Sequence, residues 1–276
     1  MPGRVWFITG ASRGIGALTV EAALDAGDRV VATGRSVGVL AERFGEREGL
    51  CLIRLDVADE GSIAHAVEQA IACFGHVDIV LNNAGYGMLG TLEETTSEEF
   101  RTCIETNFFG TVFVCKAFVP HLRERGAGHI INVTSAGGFR PVQGFSAYCA
   151  AKFAVEGLSE TLGMELAPLG IHVTAVQPGY VKSDFCEGNS MVIVPAEMPE
   201  YAEITGGIRR AMETKQVGQP GDPAKVAAGL VALGHSVNPP RWLPLGADSV
   251  GIIESKLADV QLDIDAWREL ACSTYF

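Results

Sequence analysis

The sequence predicts an α/β fold, a doubly wound parallel sheet covered by helices on both faces in three layers, α/β/α. Three observations predict it. Short β-prone runs alternate with segments of helical period as far as residue 177. A glycine-rich turn, TGASRGIG, links the first such run to the first helix. The 276 residues contain neither an internal repeat nor a linker, so one domain, residues 1–276, is expected.

VWFIT (5–9) is apolar and β-prone and reads as the first strand. Residues 14–26 read as a helix, and RVVAT (29–33) and CLIRLD (51–56) as the second and third strands. In 62–74 the residues Ile63, Ala66, Val67, Ala70, Ile71 and Phe74 recur at helical spacing. HVDIVLNN (76–83) is the fourth strand. Thr96 with Glu99 forms a capping box that opens a long helix to about residue 125. HIINVTS (129–135) is the fifth strand. The helix at 146–167 is closed by Pro168 and Gly170, and IHVTAVQ (171–177) follows as the sixth strand. The pattern then breaks near Phe185. Residues 185–216 show no clear periodicity, and a break of that length inside a compact domain reads as a mobile substrate lid. Residues 222–234 are helical again, RWLPLG (241–246) is a last strand, and 247–276 is a C-terminal helical extension.

Charge and composition exclude several classes. The net charge of −12 argues against a nucleic-acid partner. No apolar run approaches the length of a membrane span; residues 111–119 are short and broken by Lys116. The N-terminus lacks a signal-peptide layout. The seven Cys are dispersed, odd in number and without a CxxC pair, which argues against a disulfide framework and a zinc site. A reduced, cytoplasmic setting is the economical expectation. No HExxH pattern and no Gly-x-Ser-x-Gly occur, so neither a metal site nor a serine-hydrolase elbow is expected.

In TGASRGIG, Gly10, Gly14 and Gly16 allow a tight turn and close approach of a ligand to the backbone. The helix beyond presents free N–H groups and its positive dipole end to a pyrophosphate. This predicts a dinucleotide site. An acid about twenty residues on would hold the ribose 2′-hydroxyl of NAD, but Ala32, Thr33, Gly34 and Arg35 stand there. Arg35 suits a 2′-phosphate instead, with Arg13 as a second clamp, so NADP(H) is favoured over NAD(H).

In SAYCAAKFAV (146–155), Tyr148 and Lys152 fall on one helix face. A cation beside a phenol favours the phenolate, lowering a pKa of about 10 and making an acid/base of the tyrosine. Taken alone, such a pair is a common accident of helical sequence.

Taken with its surroundings, the pair is part of a resemblance. TGASRGIG, LDV (55–57), NNAG (82–85), NFFG (107–110), Ser135, YCAAK (148–152) and PGYVKS (178–183) resemble, in order and spacing, the short-chain dehydrogenases/reductases, which have a Rossmann fold. The likeness is close over about 3–185. It implies that Tyr148 protonates a carbonyl oxygen as hydride arrives, or takes the proton in reverse. Lys152 would tune Tyr148 and hold the nicotinamide ribose. Ser135 would bind the substrate oxygen. Asn107 would sit at a helix kink and hold a water beside Lys152. Gly10, Ser12, Arg13, Gly14, Ile15 and Gly16 would hold the phosphates, Asp56 and Val57 the adenine, and Asn83, Ala84 and Gly85 the adenosine side. Pro178, Gly179, Val181 and Ser183 would set the nicotinamide face.

The substrate end holds Phe139, Val142, Phe145, Phe185, Met191, Val192, Ile193, Met198 and Tyr201, which suit a bulky apolar ligand. The sequence also resembles the branch with 17β-hydroxysteroid and retinol dehydrogenases. Rival readings are a non-catalytic NADP(H) sensor, a sugar-nucleotide epimerase or dehydratase, and an enoyl reductase. In the family the helices near 97–125 and 146–167 often pair between subunits, which implies a homodimer or homotetramer.

Overall fold

A computed structural model describes residues 3–182, 190–213, 218 and 220–275. Its main sheet is built from β1 (Val5–Ile8), β2 (Arg29–Gly34), β3 (Leu50–Arg54), β4 (Ile79–Asn82), β6 (Gly128–Val133), β7 (Ile171–Pro178) and β9 (Trp242–Leu245). The order is β3-β2-β1-β4-β6-β7-β9, and every neighbouring pair is parallel. The order reverses at β1, so β1 and β4 diverge to opposite helical layers at their C-terminal ends. That is where open α/β sheets bind ligands.

The strands read as continuous apolar runs because both faces are covered. In β1 the side chains alternate between two cores. Val5 and Phe7 face α3 (Glu60–Phe74) and α5 (Gly110–Arg125), packing with Ile63, Ala66, Val114 and Phe118. Trp6 and Ile8 face α1 (Gly14–Asp25) and α8 (Pro223–Gly234), packing with Ala17, Val20, Leu230 and Leu233. The Trp6 indole donates to Asp28 Oδ2 at 2.8 Å, which satisfies the one polar atom that this buried ring carries.

Helix ends follow local chemistry. Asp59 caps α3 by accepting from the Gly61 and Ser62 amides, and Gly75 ends it at φ 81°. The capping box of Thr96 and Glu99 opens α4 (Ser97–Ile104) as expected.

Several expectations need correction. The long helix at 97–125 is α4 and α5 joined through a π-helical turn, Glu105–Phe109, which holds Asn107. Ser97–Arg125 is also long and apolar enough to cross a membrane by length and composition, contrary to the sequence reading. Val114, Cys115, Phe118 and Leu122 spend that apolar surface on the sheet. A helix not foreseen, α2 (Val37–Phe44), follows β2, with the Ser36 hydroxyl accepting from the Val39 amide. Cys51 on β3 and Cys73 on α3 form a disulfide with Cα atoms 6.8 Å apart, against the expectation of reduced thiols. The packing of α3 along β3 brings them together, which sequence spacing does not reveal.

The stretch read as aperiodic contains β8 (Met191–Ile193), which pairs with β5 (Gly87–Leu89) in a second small parallel sheet, and α7 (Ala202–Glu213). Ile204, Ile208 and Ala211 do recur at helical spacing there. This segment is pinned to the body. Tyr201 donates to Glu93 Oε2 at 2.8 Å. Arg209 donates to the Val194 and Ala196 carbonyls at 3.0 and 2.9 Å and stands 3.7 Å from Glu94. The C-terminal extension is one helix, α9 (Ala247–Cys272).

Candidate active site

At the C-terminal ends of β1, β4, β6 and β7 the loops enclose a cavity of about 1150 Å³. One end is framed by the glycine turn. Gly10 and Gly14 have φ of 64° and 57°, where L side chains are strained. A Cβ on Gly10 would lie 2.8 Å from the Ala84 Cα, and one on Gly16 would meet the Gly10 carbonyl oxygen at 2.5 Å. Gly16 is therefore buried beneath the turn, where it permits the fold of the turn and does not line the cavity. Thr9 fixes the floor: its hydroxyl accepts from the amides of Asn83 and Ala84, both at 3.0 Å. The Asn83 amide donates to the carbonyls of Thr9 and Gly10 at 3.0 and 3.2 Å. The side chain of Asn83 thus holds the glycine turn.

Gly10, Ser12, Arg13, Gly14, Ile15, Arg35, Asp56, Val57, Asn83, Ala84 and Gly85 line this end. Among the described residues neither Arg13 nor Arg35 is ion-paired to a carboxylate. Asp56 is held by its own loop, its amide donating to Ser62 Oγ at 3.0 Å and its carboxylate accepting from the Ala58 amide at 3.1 Å. A narrow, glycine-floored cleft beside a helix N-terminus, with two cations at its far end, fits a phosphorylated dinucleotide.

The other end gathers Ser135, Tyr148 and Lys152. α6 (Ser146–Leu166) carries the last two one turn apart, and Ser135 follows β6. Lys152 Nζ lies 5.9 Å from the Tyr148 ring centroid and donates to the Val133 carbonyl at 2.9 Å. A Cβ on Gly137 would touch both Ser135 Oγ, at 3.4 Å, and Tyr148 Cε1, at 3.8 Å, so the two side chains flank one point. Burial pushes the Lys152 ammonium down to about 8, partly opposed by Cys103 and Glu156. Tyr86 lines the same cavity, but burial and then Cys103 push its phenol up to about 12. Pro178, Gly179 and Val181 also line it, while Ser183 lies outside the described residues.

Asn107 is fully buried behind this wall and does not line the cavity. Its carbonyl oxygen Oδ1 accepts from the Tyr86 amide at 3.0 Å, and Nδ2 donates to the Cys103 carbonyl at 3.0 Å. The π turn points this side chain at Gly85, where an added Cβ would lie 2.6 Å from Oδ1 and 3.5 Å from Lys152 Nζ.

Behind Lys152, Glu156 meets Thr134 Oγ1 and accepts from Gln177 Nε2 at 3.0 Å. Thr134 Oγ1 also lies 2.9 Å from the Val176 carbonyl. A hydroxyl has one proton and cannot donate fully to both. The single Thr134 proton is therefore shared between the two acceptors, and burial pushes the Glu156 carboxyl up, opposed by Thr134, Gln177 and Lys152.

Of the residues named for the substrate end, Val142, Phe145, Met191 and Val192 line the cavity. Phe139, Ile193, Met198 and Tyr201 do not, and Phe185 lies outside the described residues. The sequence reading missed Cys149, Tyr180, Ile204, Ile208 and Ile252. The helical period of 204, 208 and 211 was the available signal. Nothing local marks Ile252, which arrives from α9.

The family model for short chain dehydrogenases matches residues 4–190. Among curated proteins, "Oxidoreductase BOA17" of Botryotinia fuckeliana is 35% identical over 98% of this chain and 99% of its own. A 3-ketodihydrosphingosine reductase of Bacteroides thetaiotaomicron is 36% identical over 87% of each chain. Among solved structures, a short-chain dehydrogenase from Streptomyces avermitilis is 38% identical, with a TM-score of 0.90 over 99% of this chain and 100% of its own. A 3-ketoacyl-(acyl-carrier-protein) reductase from Brucella melitensis, complexed with NADH, is 25% identical (TM-score 0.74, covering 90% and 98%). A serine dehydrogenase complexed with NADP+ is 27% identical (TM-score 0.74, covering 87% and 94%).

Proposed function

The chain belongs to the short-chain dehydrogenase family of oxidoreductases acting on CH–OH groups with a nicotinamide cofactor, and we propose that it interconverts a bulky apolar ketone and its secondary alcohol with NADP(H), using Tyr148 as the acid/base. The observation that carries this reading is the meeting of Ser135, Tyr148 and Lys152 where the glycine-floored cleft opens into an apolar chamber. The bound nicotinamide supplies or accepts the hydride. In reduction, Tyr148 gives its proton to the carbonyl oxygen, so that neutral alcohol forms and the phenolate remains. The Lys152 ammonium, held by the Val133 carbonyl, stabilises that phenolate and keeps two protons for the cofactor ribose and the tyrosine oxygen. Ser135 orients the substrate oxygen, and Asn107 braces the wall through Tyr86 and Cys103.

Arg35 and Arg13, without carboxylate partners among the described residues, support a 2′-phosphate and hence NADP(H). Val142, Phe145, Met191, Val192, Ile204 and Ile208 support an apolar substrate. The names of two relatives, reductases of a ketodihydrosphingosine and of a ketoacyl carrier protein, support a long-chain ketone.

The test is loss of reduced-nicotinamide absorbance with NADPH and NADH in parallel, against aliphatic, aryl, steroid and long-chain 3-keto substrates. Tyr148→Phe is expected to bind NADPH as wild type does and to lose at least ~100-fold in turnover. Turnover that survives Tyr148→Phe refutes the acid/base assignment.

A further inference from the structure

The root of α9 is built into the active-site wall. Asp248 accepts from the Tyr180 amide at 2.7 Å, and Ser249 donates to the Gln177 carbonyl at 2.7 Å. Ile252 lines the cavity. Arg140 donates to Ser255 at 2.6 Å and ion-pairs with Asp259 at 3.1 Å. Beyond these contacts the helix has no cover: every residue from Leu257 to Tyr275 is exposed. A helical stretch of that length without tertiary packing is marginal in water.

The exposed stretch is patterned. Ile253, Leu257, Val260, Ile264, Trp267 and Ala271 recur at alternating intervals of four and three, the heptad of a helix pair. Leu257, Ile264 and Trp267 are 55%, 48% and 65% exposed. At 3.6 residues per turn this stripe lies roughly a third of a turn from the side where Ile252, Ser255 and Asp259 meet the body. It is therefore lateral and open.

We propose that the α9 stripe is the docking surface for α9 of a second copy of this chain, the two helices lying parallel. The flanking charges select this occupant and orientation. Arg268 is paired to Asp265 on its own exposed helix face at 2.6 Å; in a parallel pair Asp263 of the second copy falls beside the same guanidinium, which has donors for both carboxylates, and by symmetry the contact occurs twice. Lys256 falls beside the neutral Gln261. An antiparallel pair gains Glu254 beside Arg268 but sets Asp263 against its own copy at the two-fold axis. Parallel pairing has the attraction without that repulsion. It also holds in place the helix whose first turn supports the turn at Gly179.

The test uses the full chain. Sedimentation equilibrium of wild type is expected to show an even-numbered assembly, and Ile264→Glu to halve its mass. Because Ile264 is exposed within one copy, the variant should match wild type diluted below its assembly concentration in unfolding midpoint and cofactor binding, which separates this effect from misfolding. Asp263→Arg and Arg268→Asp should each weaken the assembly by at least ~3-fold, and the two together should restore it. In a Cys272→Ser background, Ile264→Cys should give a disulfide-linked dimer, because the parallel register puts residue 264 opposite itself. A monomeric wild type, or an assembly whose mass ignores Ile264→Glu, overturns the proposal. So does an assembly lost in Ile264→Glu that neither cross-links at position 264 nor recovers with the exchanged charges, since the stripe would then dock elsewhere on the second copy.

Discussion

At the glycine-turn end of the cleft the walls are backbone; at the α7 end they are side chains. The first end is made by Gly10, Gly14 and the backbone of Asn83 and Ala84, within a turn that Thr9 fixes. The second is assembled from three distant stretches, β5 with β8, α7, and the root of α9. Two cations are also buried, one in the catalytic wall and one behind the α7 end. Lys152 is packed in the wall with one backbone carbonyl, and its charge opposes burial. Arg209 is buried as a clamp, holding two carbonyls and facing Glu94. For Glu94, burial pushes the carboxyl up, but the Thr91 and Met198 amides, with Arg209, outweigh it and hold it below the usual range. The lesson is that a buried charge serves chemistry where it is under-compensated and architecture where it is matched.

The sharpest way to break this contrast is Lys152→Met. Turnover is expected to fall at least ~100-fold. Stability should nevertheless rise, because a depression to about 8 from 10.5 corresponds to roughly 3 kcal/mol against the buried ammonium, less about 1 kcal/mol for the stranded Val133 carbonyl. The sign follows from a folded pKa below the unfolded one: stability is present above 10.5 and lost as pH falls towards 8. The gain in the variant should therefore be full below pH 8 and give way above 10.5 to the deficit of about 1 kcal/mol from the stranded Val133 carbonyl. Urea midpoints across that range measure it, and a destabilised variant at pH 7 would contradict the assignment.

At the other end the same experiment should have the opposite sign. Arg209→Met leaves Glu94 buried without its cation and is expected to destabilise by about 3 kcal/mol, with KM raised more than kcat is lowered. Adding Glu94→Gln should recover part of the loss. Protease cleavage within 190–213 and the unfolding midpoint read both. If Arg209→Met is silent, α7 is held by its apolar face alone.

The smallest effect is expected at the exposed rim. Arg35→Asp removes the cation offered to a 2′-phosphate and should shift the kcat/KM ratio of NADPH to NADH at least ~10-fold towards NADH. An unmoved ratio would leave Arg13 as the discriminating group.

Legibility in the sequence follows the same division. The glycine turn, the β–α alternation and the four-residue step from Tyr148 to Lys152 are written in adjacent residues, because turn geometry and helical period act over a few positions. The π turn at Asn107 leaves no mark in the apolar helix pattern, and a kink there was expected only through the family resemblance. β5 and β8 are too short to show a period and exist only because Gly87 and Met191 meet in space. The Cys51–Cys73 pair likewise depends on which helix packs on which strand.

The sequence by itself determined the doubly wound sheet, the glycine turn and the shared face of Tyr148 and Lys152, since each rests on local backbone preference and hydrophobic period; the rest of the cleft set was implied only by the family resemblance. Only the tertiary structure decided what closes the substrate end, which of its apolar residues line the chamber, and that α9 leaves the body with an uncovered stripe. These depend on contacts between residues a hundred or more positions apart, such as Arg209 with Glu94 and Arg140 with Asp259. No local rule of the chain specifies such pairings.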